Sequence, residues 1–318
     1  MEARCDAVNR RAVYFFCADK SKDPVAHNVF RSVVNLFSPS VTDLSVDNFP
    51  VLHHQNSSGE FYFVNTANVL SHDYVRYLPY LNSLFNDFDF AGIVNWHEGK
   101  NSPDPIFCVH TTGDVISGIF GAAHPLYTRN LLIALEHERI NYGLYNFKTL
   151  SEATHWSGVL HGTSPTLITK YTVPIVDVEI GSAVESWGDS TAANAIASAI
   201  VRVFEWDDPN AKSVLCVGGV HFEPSFCHAV LNSSEESSIM VSHILANQWV
   251  VAGGYDQDLG LVKLESCFNS ILHKVDAIVF HDNLKGSYKE KLRSYALQNG
   301  IPVFKHQYLR DPSKLPMR

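Results

Sequence analysis

The chain has 318 residues, 46% of them apolar and 18% charged, and a formal charge of −9. That length and composition can bury one large core or two smaller ones and exclude a disordered or low-complexity chain. The net acidity argues against indiscriminate nucleic-acid binding, no run approaches the ~20 apolar residues of a membrane span, and scattered cysteines without a CxxC pair read as reduced thiols of a cytoplasmic protein.

Arg10 and Arg11 precede AVYFFC (Ala12–Cys17), a run too short for a signal sequence that reads as a first strand. Asp23-Pro24 marks a turn before a helix over Val25–Phe37, and FYFV (Phe61–Val64) reads as a further strand. Helical spacing over Tyr74–Phe85 contains Pro79, which predicts a break or kink. GIVNW (Gly92–Trp96) and IFCVH (Ile106–His110) are strands, and Leu126–His137 is an amphipathic helix. Val173–Ile180 is a strand, Ser190–Glu205 a buried helix, and SVLCV (Ser213–Val217) a strand running into Gly218-Gly219. DAIVF (Asp276–Phe280), a helix over Tyr288–Asn299 and GIPVF (Gly300–Phe304) close the chain. The alternation predicts an α/β fold, with three α/β/α layers around a largely parallel or mixed central sheet. One domain over residues 10–318 is expected, with room for an inserted lobe within about 92–165 and a short tail, 1–9.

Ligands of such sheets sit at the carboxyl ends of the strands. His97, His110 and His221 lie at or just past predicted strand ends, Glu179 lies near another, and nine of the sixteen histidines fall between positions 97 and 243. GGVHFEP (Gly218–Pro224) matches neither GxGxxG nor a Walker loop, which argues against a dinucleotide cofactor. Its paired glycines let the backbone turn tightly and project His221. His97 with Glu98, His110, Glu152 with His155, and His243 all occupy polar joints between apolar elements. Imidazoles and carboxylates are the usual ligands of zinc, yet HExxH is missing and EATH (Glu152–His155) only sets a Glu and a His three apart. With no GxSxG elbow, a hydrolase built on this chain would use water activated by a metal or a histidine. From Lys285 onward the chain holds eight basic and two acidic residues, so this tail carries +6 and the remainder −15. Such a tail is either a solvated face or a cradle for one phosphate backbone.

Several motifs, in order, carry a resemblance: Asp23-Pro24, Trp96-His97, Ser102 with PIFCVHTTG (Pro105–Gly113), LSEATH (Leu150–His155), VEIGS (Val178–Ser182), GGVHFEP, Ser242-His243 and DNLKG (Asp282–Gly286). Over nearly its whole length the chain resembles the archaeal and plant-type D-aminoacyl-tRNA deacylases, the zinc-dependent type of D-tyrosyl-tRNA deacylase. The resemblance implies hydrolysis of the ester between a D-amino acid and the 3′ end of tRNA, with zinc as cofactor and tRNA as partner. It implies His97, His110, His155, His221 and His243 as candidate metal ligands, and His155, His221, Glu152 and Glu179 as catalytic candidates. Lys285, Lys289, Lys291 and Arg293 would meet acceptor-stem phosphates. The chain departs from the family pattern at Trp156, where a second histidine is expected, and at Val220 and Ser242. About ten extra residues follow EATH, and His161 within them is another source for the second histidine. Two other readings stay open: a descendant that binds tRNA without cleaving it, and another α/β hydrolase or phosphorylase of peptidyl-tRNA hydrolase-like or nucleoside phosphorylase-like type.

Overall fold

The structure, a computed structural model, describes residues 10–99, 102–232, 238–312 and 315; the expected tail 1–9, Lys314 and Arg318 lie outside the described residues. Strand β1 (Arg11–Cys17) leads to α1 (Pro24–Phe37), which starts where the sequence places a turn. Asp23 caps α1 by accepting the Ala26 N–H at 2.8 Å, and Pro24 occupies the first position, where no donor is needed. The hairpin β2 (Ser40–Val46) and β3 (Phe49–Gln55) is followed by β4 (Glu60–Thr66), α2 (Tyr74–Leu84) and β5 (Phe90–Glu98). Next come β6 (Ile106–Thr111), the small ribbon β7 (Gly113–Asp114) and β8 (Ile119–Phe120), and α3 (Pro125–Asn141). β9 (Lys148–Ser151) and β10 (Ile175–Ser182) complete an eight-stranded mixed sheet ordered β2-β3-β4-β1-β5-β10-β6-β9. Alternate residues of β1 serve opposite layers, as a strand buried on both faces requires. Tyr14 and Phe16 join the core under α1, while Val13 and Phe15 join a second core with Tyr74, Tyr77 and Leu81 of α2.

The second half runs α4 (Val184–Trp187), α5 (Ser190–Ile200), β11 (Lys212–Val217), α6 (Pro224–Leu231), β12 (Ile239–Leu245) and α7 (Asn247–Ala252). It ends with α8 (Asp258–Ser270), β13 (Ala277–Phe280), α9 (Gly286–Gln298) and β14 (Val303–Lys305). Its strands pair in parallel as a separate sheet, β12-β11-β13-β14. The layered α/β architecture is therefore present, but the strands expected in one sheet divide between two. Helix α2 runs through Pro79 without ending there, and α5 stops five residues short of the expected Glu205. Tyr14, Asn56 and Asn130 side chains donate to the carbonyls of Ile200, Val201 and Val203, which satisfies these groups outside a helix. No helix among the described residues is long and apolar enough to cross a membrane.

Candidate active site

The motif residues meet because three strands set their register. On β10, Asp177 lies opposite His110 of β6 and Glu179 opposite Cys108, while Gly181 pairs with His97 of β5. Asp177 and Glu179 are two apart and project from the same face. Gly181 is glycine for a steric reason, since a Cβ there would lie 2.7 Å from the His97 Cβ. The segment Glu152–His155 leaves β9 and bridges the two sheets in extended form. Ala153 donates its N–H to the His221 carbonyl and Thr154 to the Ile244 carbonyl, both at 2.9 Å. His221 arrives on the turn after β11, where Gly218 (φ +92°) and Gly219 (φ +77°) adopt the left-handed region that favours glycine. Asn283, in DNLKG, accepts the Gly219 N–H at 3.0 Å and so ties this turn to the loop after β13.

These constraints bring three imidazoles to one carboxylate oxygen. The Nε2 atoms of His97 and His155 lie 3.5 and 3.7 Å from Glu152 Oε1, and His221 Nε2 hydrogen-bonds to the same oxygen. Glu152 is 1% exposed, and its second oxygen is buried without a hydrogen-bond partner. Ser182 donates its hydroxyl to the Pro103 carbonyl and so accepts from His97 Nδ1 at 2.8 Å. His155 Nδ1 donates to the Ala153 carbonyl at 2.9 Å. Both bonds assign the proton to Nδ1 and leave the Nε2 lone pairs facing Glu152. A lone pair facing a buried carboxylate calls for a cation between them, either a proton or a metal ion. His97, Glu152 and His221 offer ligand atoms within 4.8 Å of one another, a donor set suited to zinc. A second layer lies alongside: His110 stacks on His155 at 3.8 Å, with its Nε2 3.6 Å from Glu179 and 3.9 Å from Asp177.

Electrostatics follow from this packing. Burial disfavours a charge on His110, but Asp177, Glu179 and Glu152 outweigh it and push its pKa up to about 10. Burial, and then the neighbouring His110 charge, bring His155 down to about 3. Burial would raise the Glu152 carboxyl, yet the imidazoles of His155, His221 and His97 hold it well below the ordinary carboxylate range. Asp177 is pushed up to about 7 by burial, against the pull of His110.

The remaining expected residues lie elsewhere. His243 is fully buried on β12, where its ring bonds Thr111 Oγ1 at 2.8 Å and Ser270 Oγ at 3.0 Å, and it is absent from the groups of residues that could hold a metal ion. His161 is exposed and stacks on His72 at 3.7 Å. Trp156 is 4% exposed and sits edge-on to Tyr74 in the α2 core. Lys285 and Arg293 are exposed at and along α9, Lys289 lies over Phe280, and Lys291 pairs with Asp258 at 2.9 Å. Sequence reading passed over Asp177 and Cys108, although the alternation VDVE and the strand IFCVH already placed them on the inner faces. Trp249, whose ring lies 5.1 Å from His221 and 5.8 Å from His155, gave no such signal.

Two cavities flank the cluster. One of about 490 Å³ is walled by His97, Ser102, Pro103, Val220, His221 and Phe222. The other, about 190 Å³, lies on the His155 side. A cavity of about 520 Å³ beside α8 is larger, but none of the clustered imidazoles lines it.

The sequence model described as D-aminoacyl-tRNA deacylase matches residues 84–304. A protein of Pyrococcus abyssi named D-aminoacyl-tRNA deacylase is 24% identical over 293 residues, covering 89% of this chain and 96% of its own. A Pyrococcus horikoshii protein of the same name is 23% identical over 295 residues with the same coverage. One from Archaeoglobus fulgidus is 28% identical over 184 residues, which span 56% of this chain and 61% of its own. A crystal structure of a conserved protein of unknown function superposes with a TM-score of 0.73 over 95% of this chain and 97% of its own, at 18% identity, and shares the fold.

Proposed function

The chain belongs to the D-aminoacyl-tRNA deacylase family, and we propose that the cluster around Glu152 is where it hydrolyses the ester between a D-amino acid and the 3′-terminal ribose of tRNA. The observation that carries this reading is the convergence of three imidazole Nε2 atoms on one oxygen of a buried carboxylate, between two cavities. His97, Glu152 and His221 would hold zinc, which they fit by donor type and by the unpartnered second oxygen of Glu152. Bound there, zinc would supply Lewis acidity toward the ester carbonyl and toward water.

The protein's own groups do the rest. Ala153 fixes the tautomer of His155, so its Nε2 accepts a hydrogen bond from the attacking water and relays the proton within the step, since burial and His110 leave it too weakly basic to hold that proton. Hydroxide adds to the carbonyl carbon, the C–O bond to the ribose breaks, and the proton passes from His155 to the departing ribose oxygen. The products are a free D-amino acid and a tRNA with its 3′ end restored. Ser182 orients His97, and the Asp177–Glu179–His110 layer orients His155 by stacking. Lys285, which ends the Asn283-bearing loop, and Arg293 on α9 are exposed and would meet the tRNA phosphates.

The test is deacylation of D-tyrosyl- and L-tyrosyl-tRNA by the purified protein, with zinc content determined on the same sample. Preferential cleavage of the D-ester that is lost in His155→Ala and His221→Ala is the expected result. Tight tRNA binding without cleavage would overturn it.

A further inference from the structure

An aminoacyl ester has a nucleoside on one side of its reacting carbonyl and an amino-acid side chain on the other. An active site for it therefore needs two compartments that meet at the reacting atoms. The two cavities at the Glu152 cluster are unequal and lie on different imidazoles, His97 and His221 for the larger and His155 for the smaller. His155 and His221 are themselves 5.3 Å apart, and Trp249 packs on both.

Resting on the deacylase reading, we propose that the smaller cavity receives the amino-acid side chain and selects single-ring aromatic and branched aliphatic side chains over methyl-sized ones. Three observations support this. The first is size: an apolar cavity of about 150 Å³ holds one benzene ring, and this one has about 190 Å³. Pockets for whole drug-sized ligands run from about 300 Å³ upward, so a nucleoside belongs in the larger cavity of about 490 Å³. The second is chemistry. Ile116, Trp156, Val159, Leu160 and Trp249 supply apolar walls; of its polar liners Asp114, His155 and Thr154, the last has its hydroxyl engaged with Thr111 and the Ile244 N–H.

The third is the apolar mouth. Leu160 is 87% exposed and Val159 39%, adjacent on the short helical stretch Ser157–His161 and both lining this cavity. Apolar side chains grouped at a pocket rim mark a surface that a ligand covers. That stretch supplies Val159 and Leu160, while Ile116, Trp156 and Trp249 reach the cavity from other segments.

The experiment compares kcat/KM for D-phenylalanyl-tRNA and D-alanyl-tRNA in the wild type, Leu160→Asp and Val159→Trp. Both positions are exposed enough that the variants fold, which thermal melting checks. The wild type is expected to favour the phenylalanyl ester by about tenfold or more, the value of a few buried methylenes. Both variants should cut this ratio by about tenfold, Leu160→Asp by placing a charge at the mouth and Val159→Trp by filling it. A ratio that stays unchanged in the variants, or two esters lost in equal proportion, would overturn the pocket assignment while leaving the deacylase reading intact. Failure of the wild type to cleave either ester would instead refute that reading and the pocket with it.

Discussion

His243 separates a structural histidine from a ligand, and the separation is measurable through pH. Its Nε2 donates to Ser270, whose own proton goes to the Cys267 carbonyl, and its Nδ1 accepts from Thr111. All these partners are uncharged, and burial brings its pKa down to about 3. An unfolded histidine titrates near 6.5. Because the folded value is the lower one, the unfolded chain takes up a proton first. Stability is therefore complete above about pH 6.5 and drains as the pH falls toward 3. At pH 5, about 1.5 pH units below the unfolded value, this single group costs about 2 kcal/mol. The variant His243→Asn can keep the bond to Thr111 but loses Ser270 and leaves a small void. It should cost about 1–2 kcal/mol at pH 7. It has no proton to take up, so the two proteins should converge or cross near pH 5. Urea denaturation of both at pH 7 and pH 5 measures this directly. A constant stability gap between them at both pH values would refute the reasoning. Loss of zinc from the variant at pH 7 would make His243 a ligand after all.

Glu152→Gln keeps the volume but removes the charge on which three imidazoles converge; zinc stoichiometry should fall and kcat/KM should drop by at least about 100-fold, which metal analysis and a deacylation assay check. Asn283→Ala withdraws the acceptor of the Gly219 N–H. The turn bearing His221 should loosen, lowering kcat/KM by about tenfold at little cost in melting temperature. Lys285→Ala and Arg293→Ala should each weaken tRNA binding and flatten the slope of log Kd against log salt by about one, as fluorescence titration would show; an unchanged slope would assign these side chains to solvent. Lys291, already paired with Asp258, should change that slope less than either.

Much of this architecture was legible because burial on two faces leaves near-continuous apolar runs, as in β1, β5, β6 and β11. The hairpin β2–β3 was not, since SVTDLSV and FPVLHHQ are only half buried and mix polar with apolar residues. β12 was hidden by Ser242 and His243 inside IMVSHIL, where the Thr111 and Thr154 hydroxyls partner the His243 ring and the Ser242 hydroxyl is buried without a partner. Of the histidines at polar joints, His97, His155 and His221 gather at Glu152, whereas His243 lies among hydroxyls. Only the partner's chemistry tells them apart: a carboxylate for the three, hydroxyls for the fourth.

The division of strands between two sheets, which no local pattern could announce, explains why the site needs the whole chain. Glu152, His97, His110, Asp177 and Glu179 come from the eight-stranded sheet or its margin, while His221 follows β11 of the four-stranded one and Trp249 lies on α7, just after β12. The bridge is EATH, whose backbone pairs with His221 and Ile244 while its side chains enter the cluster. Thr154 also joins His243 in the hydroxyl network that seals this joint. Every residue of the motif is thus committed twice or to both sheets. The stretch Ser157–His161 after it lies outside both sheets. It can carry an exposed Leu160 at the mouth of the smaller cavity, so the chemistry and the choice of side chain sit on adjacent but separately adjustable segments.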